Sequence, residues 1–165
     1  MITVTAVAKQ YSSGRGHITA LAGVSCFVAT GQSLVVAGRS GSGKTTLLNC
    51  IGALERPDSG RIICNEWDLA ALSQKQIADY RRCDIGFVFQ AANLFPWLTV
   101  AENLQFPLEL NRIGRREQEK RIGRLLADFG MSGYDRALPG ELSAGEAQRI
   151  AFARAIAHNP KILLA

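Results

Sequence analysis

The sequence predicts an α/β fold with a mainly parallel central sheet, a small N-terminal antiparallel β layer and a helical subdomain over roughly residues 91–145. Three observations carry this. A short apolar run at residues 33–37 leads through a glycine-rich loop into an apolar-faced helix, the strand–loop–helix unit of a parallel sheet. Strand-like segments at 2–11 and 21–28 precede that unit. Beyond it, helical patterns alternate with further short apolar runs at 85–89 and 161–165.

Taken in order, residues 2–11 alternate apolar and polar, as a half-exposed strand does. Residues 12–16, rich in Ser and Gly, read as a loop, and 21–28 as a second strand closing at Thr30 and Gly31. Residues 33–37 read as a buried central strand. The helix after the glycine loop ends ahead of a turn at 56–60, with Pro57 and Gly60 as its signals. Residues 61–64 form the next short strand, and Ser73 opens a helix that runs to about Arg82. Gln90 falls at the carboxyl end of the strand at 85–89, the edge of an open α/β sheet where ligands bind.

Residues 93–99 form a loop with unusually large apolar side chains, Leu94, Phe95, Trp97 and Leu98. Residues 101–110 read as a helix kinked or interrupted by Pro107. The clearest amphipathic helix is 115–129, where Ile122, Leu125, Leu126 and Phe129 share one face and the charges of both signs share the other. Ser143 with Glu146 three residues on is a capping box for the helix that Asn159 and Pro160 stop.

The 165 residues are 47% hydrophobic and 20% charged, which describes one globular domain able to bury a core. No apolar run approaches the ~18 residues of a membrane span. No basic stretch followed by an apolar core marks a secretory leader, so a cytoplasmic location is expected. Cys26, Cys50, Cys64 and Cys83 are scattered and read as buried thiols, not disulfides or metal ligands. Several of the basic residues behind the net charge of +5 sit in the mixed-charge helix at 115–129, and no nucleic-acid partner is expected.

The chemistry centres on Gly38, Arg39, Ser40, Gly41, Ser42, Gly43, Lys44, Thr45 and Thr46, which fit the pattern G-x-x-x-x-G-K-[ST]. A polyphosphate is anionic and rich in acceptor oxygens. Glycines allow a tight turn whose backbone N–H groups converge on those oxygens, and the following helix adds its positive end. Lys44 reaches the β- and γ-phosphates and the Thr45 hydroxyl ligands Mg²⁺ in this motif. The motif in this setting predicts a P-loop NTPase fold. Taken alone, Tyr11 at a strand end is a packing residue and Gln90 a solvated loop glutamine.

With these motifs in this order, the chain resembles the nucleotide-binding domain of an ABC transporter from about Thr3 onward. The resemblance implies ATP and Mg²⁺ as cofactors. It makes Tyr11 the aromatic that stacks on adenine and Gln90 the Q-loop glutamine that contacts Mg²⁺ and couples to a membrane partner. Leu142, Ser143, Ala144, Gly145 and Glu146 resemble the LSGGQ signature, which binds the γ-phosphate of ATP held by an opposing subunit. Gln148, Arg149, Ile150 and Ala151 continue that helix as in the family. The implied partners are a transmembrane permease and a second nucleotide-binding domain, at the cytoplasmic face of a membrane.

The wording of residues 56–60, 85–90 and 93–96 is similar to the lipoprotein-releasing and macrolide-export subgroup, which implies an exporter. Ala144 departs from the first glycine of the signature's Gly-Gly pair, and Glu146 from its glutamine. The family would supply its Walker B aspartate, catalytic glutamate, D-loop and switch histidine after Ala165. Residues 1–165 therefore read as an incomplete domain with no catalytic residue of its own, expected to bind ATP weakly and turn it over negligibly. The alternative is a truncated, non-hydrolysing remnant or interaction module. A P-loop kinase or GTPase would leave residues 142–149 unexplained.

Overall fold

The alternation at the N-terminus becomes β1 (Ile2–Ser13), which pairs antiparallel with β2 (Gly16–Val28) on one side and β3 (Ser59–Cys64) on the other. A computed structural model describes residues 1–14 and 16–165; its two units, Met1–Ala78 and Asp79–Ala165, are each taken by themselves. In the first unit the two-residue β4 (Trp67–Asp68) completes a sheet of order β2-β1-β3-β4. The loop expected at 12–16 is narrower than its composition suggested. Ser12 pairs with His17, so the strands run almost to the turn, and Arg15 lies outside the described residues.

Helix α1 (Lys44–Ile51) packs against β2 and β3. Val4, Val7, Leu21, Leu47, Cys50, Ile51, Ile62 and Cys64 are all buried and form the interior of this unit. Residues 33–37 depart from expectation. They carry no strand pairing among the described residues, and Leu34 and Val35 are 51% and 86% exposed. Apolar composition nominates a strand, but a strand is made by its ladder neighbours, and none of the described residues pairs with this segment.

Helix α2 (Gln74–Cys83) begins with the Gln76 N–H 3.4 Å from Ser73 Oγ, as its capping serine requires. In the second unit β5 (Ile85–Phe87) pairs in parallel with β6 (Ile162–Leu164), and Val88 N–H adds one more bond to Leu164 O. This is the parallel component of the fold. The strand stops short of the expected Phe89, which is exposed, because pairing ends with that bond. At Gly86 an added Cβ would strike the Ala155 carbonyl, so β5 lies hard against the helix that precedes β6.

Between these strands lie α3 (Val100–Leu110), α4 (Arg115–Asp128) and α5 (Ala144–Ile156). Thr99 and Glu102 close a capping box on α3, and the helix continues past Pro107 to Leu110 rather than breaking there. Buried Leu104 and Leu108 hold the turns on either side of the proline. The apolar face of α4 buries Ile122 and Leu126, while Arg115–Glu119, Arg121–Glu117 and Arg124–Asp128 pair across one turn on its outer face. Together with Val100, Met131, Ile150 and Ala153 these side chains make one core. Among the described residues no helix is long and apolar enough to cross a membrane.

Candidate nucleotide site

The glycine loop is built as its sequence requires. Gly41 and Gly43 take φ of +77° and +86°, the left-handed region that glycine tolerates. At Gly43 there is no choice, because a Cβ there would collide with the Ala20 carbonyl on β2. Gly43 is also the N-cap of α1, and it has no side chain to satisfy the first turn. The N–H groups at the start of α1 thus have no intrahelical acceptor and no capping side chain, next to the positive end of the helix dipole. Arg39, Ser40, Gly41 and Ser42 are exposed, so the cradle opens to solvent.

Lys44 folds back over this loop. Its ammonium donates to Gly38 O at 2.9 Å and to Arg39 O at 2.7 Å, with Ser42 Oγ at 3.5 Å. A Cβ at Gly38 would stand 2.6 Å from Ser42 Oγ, so a larger residue there would push the serine hydroxyl aside. The cation is held inside the loop by the loop's own carbonyls.

Tyr11, from β1, meets the same region. Its hydroxyl donates to Glu55 Oε2 at 2.6 Å and lies 3.4 Å from the Thr46 hydroxyl. The ring is 38% exposed, and the Lys9 ammonium sits 5.8 Å from its centroid. The hydrogen bond to Glu55 raises the phenol above its ordinary pKa, so the hydroxyl stays protonated and donating. Tyr11 and the phosphate loop are therefore brought together in one unit. Glu55 was not singled out from sequence; its only signal was its place between α1 and the turn at 56–60.

Thr45, second residue of α1, is exposed at the mouth of the loop. Its hydroxyl suits a Mg²⁺ that takes most of its ligands from phosphate and water. Among the described residues no three His, Cys, Asp or Glu gather as a metal cluster.

The second unit holds the remaining candidates. Gln90 lies exposed just beyond β5. Gln148 Nε2 reaches the Phe89 carbonyl at 3.3 Å, and Arg154 donates to Asn93 O at 2.8 Å and Ala92 O at 3.0 Å. The segment around Gln90 is thus gripped from α5, whose N-cap is Ser143. The Ser143 hydroxyl and N–H both donate to Glu146 Oε2, and the Glu146 N–H returns to Ser143 Oγ. Tyr134 holds the other carboxylate oxygen at 2.9 Å. The Ser143 hydroxyl, its amide and Tyr134 hold the Glu146 carboxyl below its ordinary pKa. Ala144 is the first helical residue and is exposed, so its methyl group is easily accommodated by the helix.

On the same unit a cavity of about 300 Å³ opens beside β5. Phe89, Phe95, Phe106 and Leu110 supply apolar walls, Arg81, Arg82 and Arg154 also line it, and no carboxylate does among the described residues. Trp97 stands 72% exposed, its ring 5.8 Å from that of Phe95.

A glycine cradle opening a helix N-terminus, with an aromatic beside it, marks the first unit as a P-loop NTPase fold. A family model described as ABC transporter matches residues 21–165, and the chain belongs to that family. The chain is 44% identical over 164 residues to the methionine import ATP-binding protein MetN of Sodalis glossinidius, covering 99% of this chain and 48% of the relative. It is 42% identical over 159 residues to MetN of Corynebacterium diphtheriae, covering 96% and 46%. The chain spans about half the length of the curated relatives it matches. Its fold superposes on a dimeric, post-hydrolysis structure of the ATP-binding cassette MJ0796 bound to ADP and Pi, with a TM-score of 0.92 and 36% identity over 99% of this chain and 72% of that one.

Proposed function

We propose that this chain is the ATP-binding part of the subunit that powers an ABC-type membrane transporter by binding and hydrolysing ATP. Residues 1–165 form part of one such domain, with residues 91–145 as its helical subdomain. The observation that carries the reading is the Lys44 ammonium enclosed by the Gly38–Gly43 turn at the uncapped N-terminus of α1. Gly38, Arg39, Ser40, Gly41, Ser42, Gly43, Lys44, Thr45 and Thr46 hold the phosphates and Tyr11 takes the base. Thr45 and Gln90 serve Mg²⁺, which would neutralise phosphate charge. Leu142, Ser143, Ala144, Gly145 and Glu146 face the nucleotide of a second copy. Phosphoryl transfer in such a site is mostly positioning and charge stabilisation.

The permease docks, on this reading, at the cytoplasmic face of the membrane against the cavity beside β5 and the exposed Trp97. Apolar walls without a carboxylate suit an amphipathic segment of a membrane partner. Export is supported by the wording of residues 56–60, 85–90 and 93–96. Import is the second reading, favoured by the 44% identity to proteins named as methionine importers.

The test is ATP binding and hydrolysis with and without the co-purified permease. Binding that disappears in Lys44→Ala, and turnover that rises with the permease in vesicles, supports the proposal. ATP affinity unchanged in Lys44→Ala would sink it. The direction of substrate movement across the same vesicles separates export from import.

A further inference from the structure

We infer that Glu55 is a positioning residue for nucleotide binding: its carboxylate fixes the Tyr11 ring that receives the base and ties that ring to the helix that receives the phosphates. The inference rests on the reading of Tyr11 as the base-stacking residue.

The turn after α1 is stitched to the end of β1. Asp58 N–H donates to Ala8 O at 2.9 Å, and Gln10 N–H donates to Asp58 Oδ2 at 2.7 Å. The Lys9 ammonium donates to Arg56 O at 2.9 Å and to Asp58 Oδ1 at 3.1 Å. Tyr11 to Glu55 is the last of these bonds and the shortest, at 2.6 Å. It is the only one of them made by the aromatic side chain itself.

Glu55 is in turn anchored to α1. Its N–H donates to Asn49 O at 3.2 Å, and the preceding Leu54 N–H to the same oxygen at 2.9 Å. Asn49 lies five residues after Lys44 on the helix whose first turn faces the phosphates. The path from the ring to the phosphate loop is therefore a carboxylate, one residue of backbone and a short helix.

A partly exposed tyrosine without such a bond would sample several ring orientations and lose that freedom when a base stacks on it. A charge-assisted hydrogen bond at the ring's far end removes the freedom beforehand. Lys9, itself tethered to Asp58, stands over the ring at 5.8 Å and adds a second restraint on its orientation. Ile18, the cross-strand partner of Tyr11, is 58% exposed and extends the same platform.

The experiment measures binding of Mg²⁺-ATP and of Mg²⁺-tripolyphosphate to the protein by calorimetry. The variants are Tyr11→Ala, Tyr11→Phe, Glu55→Ala, Glu55→Gln and the double Tyr11→Phe/Glu55→Ala. Tyr11→Phe and Glu55→Ala should each weaken ATP by about fivefold, the worth of one hydrogen bond, and the double variant should be no weaker than either. Glu55→Gln keeps an acceptor and should stay within about twofold of the unmodified protein. Tripolyphosphate, which has no base, should bind all of them equally.

Glu55→Ala with unchanged ATP affinity, beside a weakened Tyr11→Ala, overturns the role of Glu55 while leaving base stacking intact. Tyr11→Ala with unchanged ATP affinity overturns the stacking reading and the inference with it. Equal losses for ATP and tripolyphosphate in Glu55→Ala, or losses that multiply in the double variant, also overturn it, since both mean that Glu55 acts without the ring.

Discussion

The Ser143 hydroxyl donates to Glu146 Oε2 at 2.7 Å while the Glu146 N–H returns to Ser143 Oγ at 3.3 Å, closing the first turn of α5 with its own side chains. Ser143→Ala should lower unfolding stability by about 1 kcal/mol, read from urea denaturation. The carboxyl of Glu146 is held below the ordinary value of 4.5. A depressed carboxyl stabilises the fold fully above its unfolded pKa, and that contribution disappears as pH falls through the lower folded value. Glu146→Gln should therefore flatten the fall of Tm below pH 4.5. An acid limb unchanged in that variant would remove Glu146 from the account.

His158 gives a second pH dependence at a higher range. Its Nε2 lies 3.2 Å from the Ile85 carbonyl, which can only accept, so Nε2 carries the proton in the neutral ring. Nδ1 is buried with no partner. Burial pushes the imidazole below 6.5, opposed by the Ile85 carbonyl and by the nearby Asp84. The neutral ring is the folded form, so its contribution is present above pH 6.5 and is lost as pH falls through the folded value. Tm should decline from pH 6.5 downward, and His158→Gln should remove that decline while the one near Glu146 persists.

Gly43 is the most constrained position of the phosphate loop. Alanine there must adopt φ near +86° and place its methyl group against the Ala20 carbonyl. Gly43→Ala should cost about 2 kcal/mol or displace the loop. Either way tripolyphosphate binding, measured by calorimetry, should be lost together with ATP binding. Retention of tripolyphosphate affinity would contradict the cradle.

Asn103 is fully buried and holds the apolar loop at 95–99. Its oxygen accepts from Phe95 N–H at 2.9 Å, and its amide donates to the carbonyls of Phe95, Leu98 and Thr99 at 3.0–3.1 Å. Asn103→Ala leaves several of these groups unpaired and should cost about 2–3 kcal/mol. Trp97 emission should shift at the same time, because the loop that carries it loses its anchor. A variant with lowered stability but an unchanged Trp97 spectrum would mean that Asn103 serves the core and not the loop.

What the sequence determined by itself is local. The glycine-loop turn, the Ser143–Glu146 cap and the apolar face of α4 each follow from residues within a few positions of one another, because turn conformation, capping and helical spacing are set over one or two turns. Family membership was legible for the same reason, since its motifs are short and ordered. What only the tertiary structure decided lies at long separation. The Tyr11–Glu55 bond joins residues 44 apart, and Gln148 reaches Phe89 O across 59. Residues 33–37 have the apolar composition of a buried strand, yet Leu34 and Val35 lie exposed, because a strand exists only where a neighbour offers its ladder. Composition names the groups that can bond; the packing of distant segments selects which of them do.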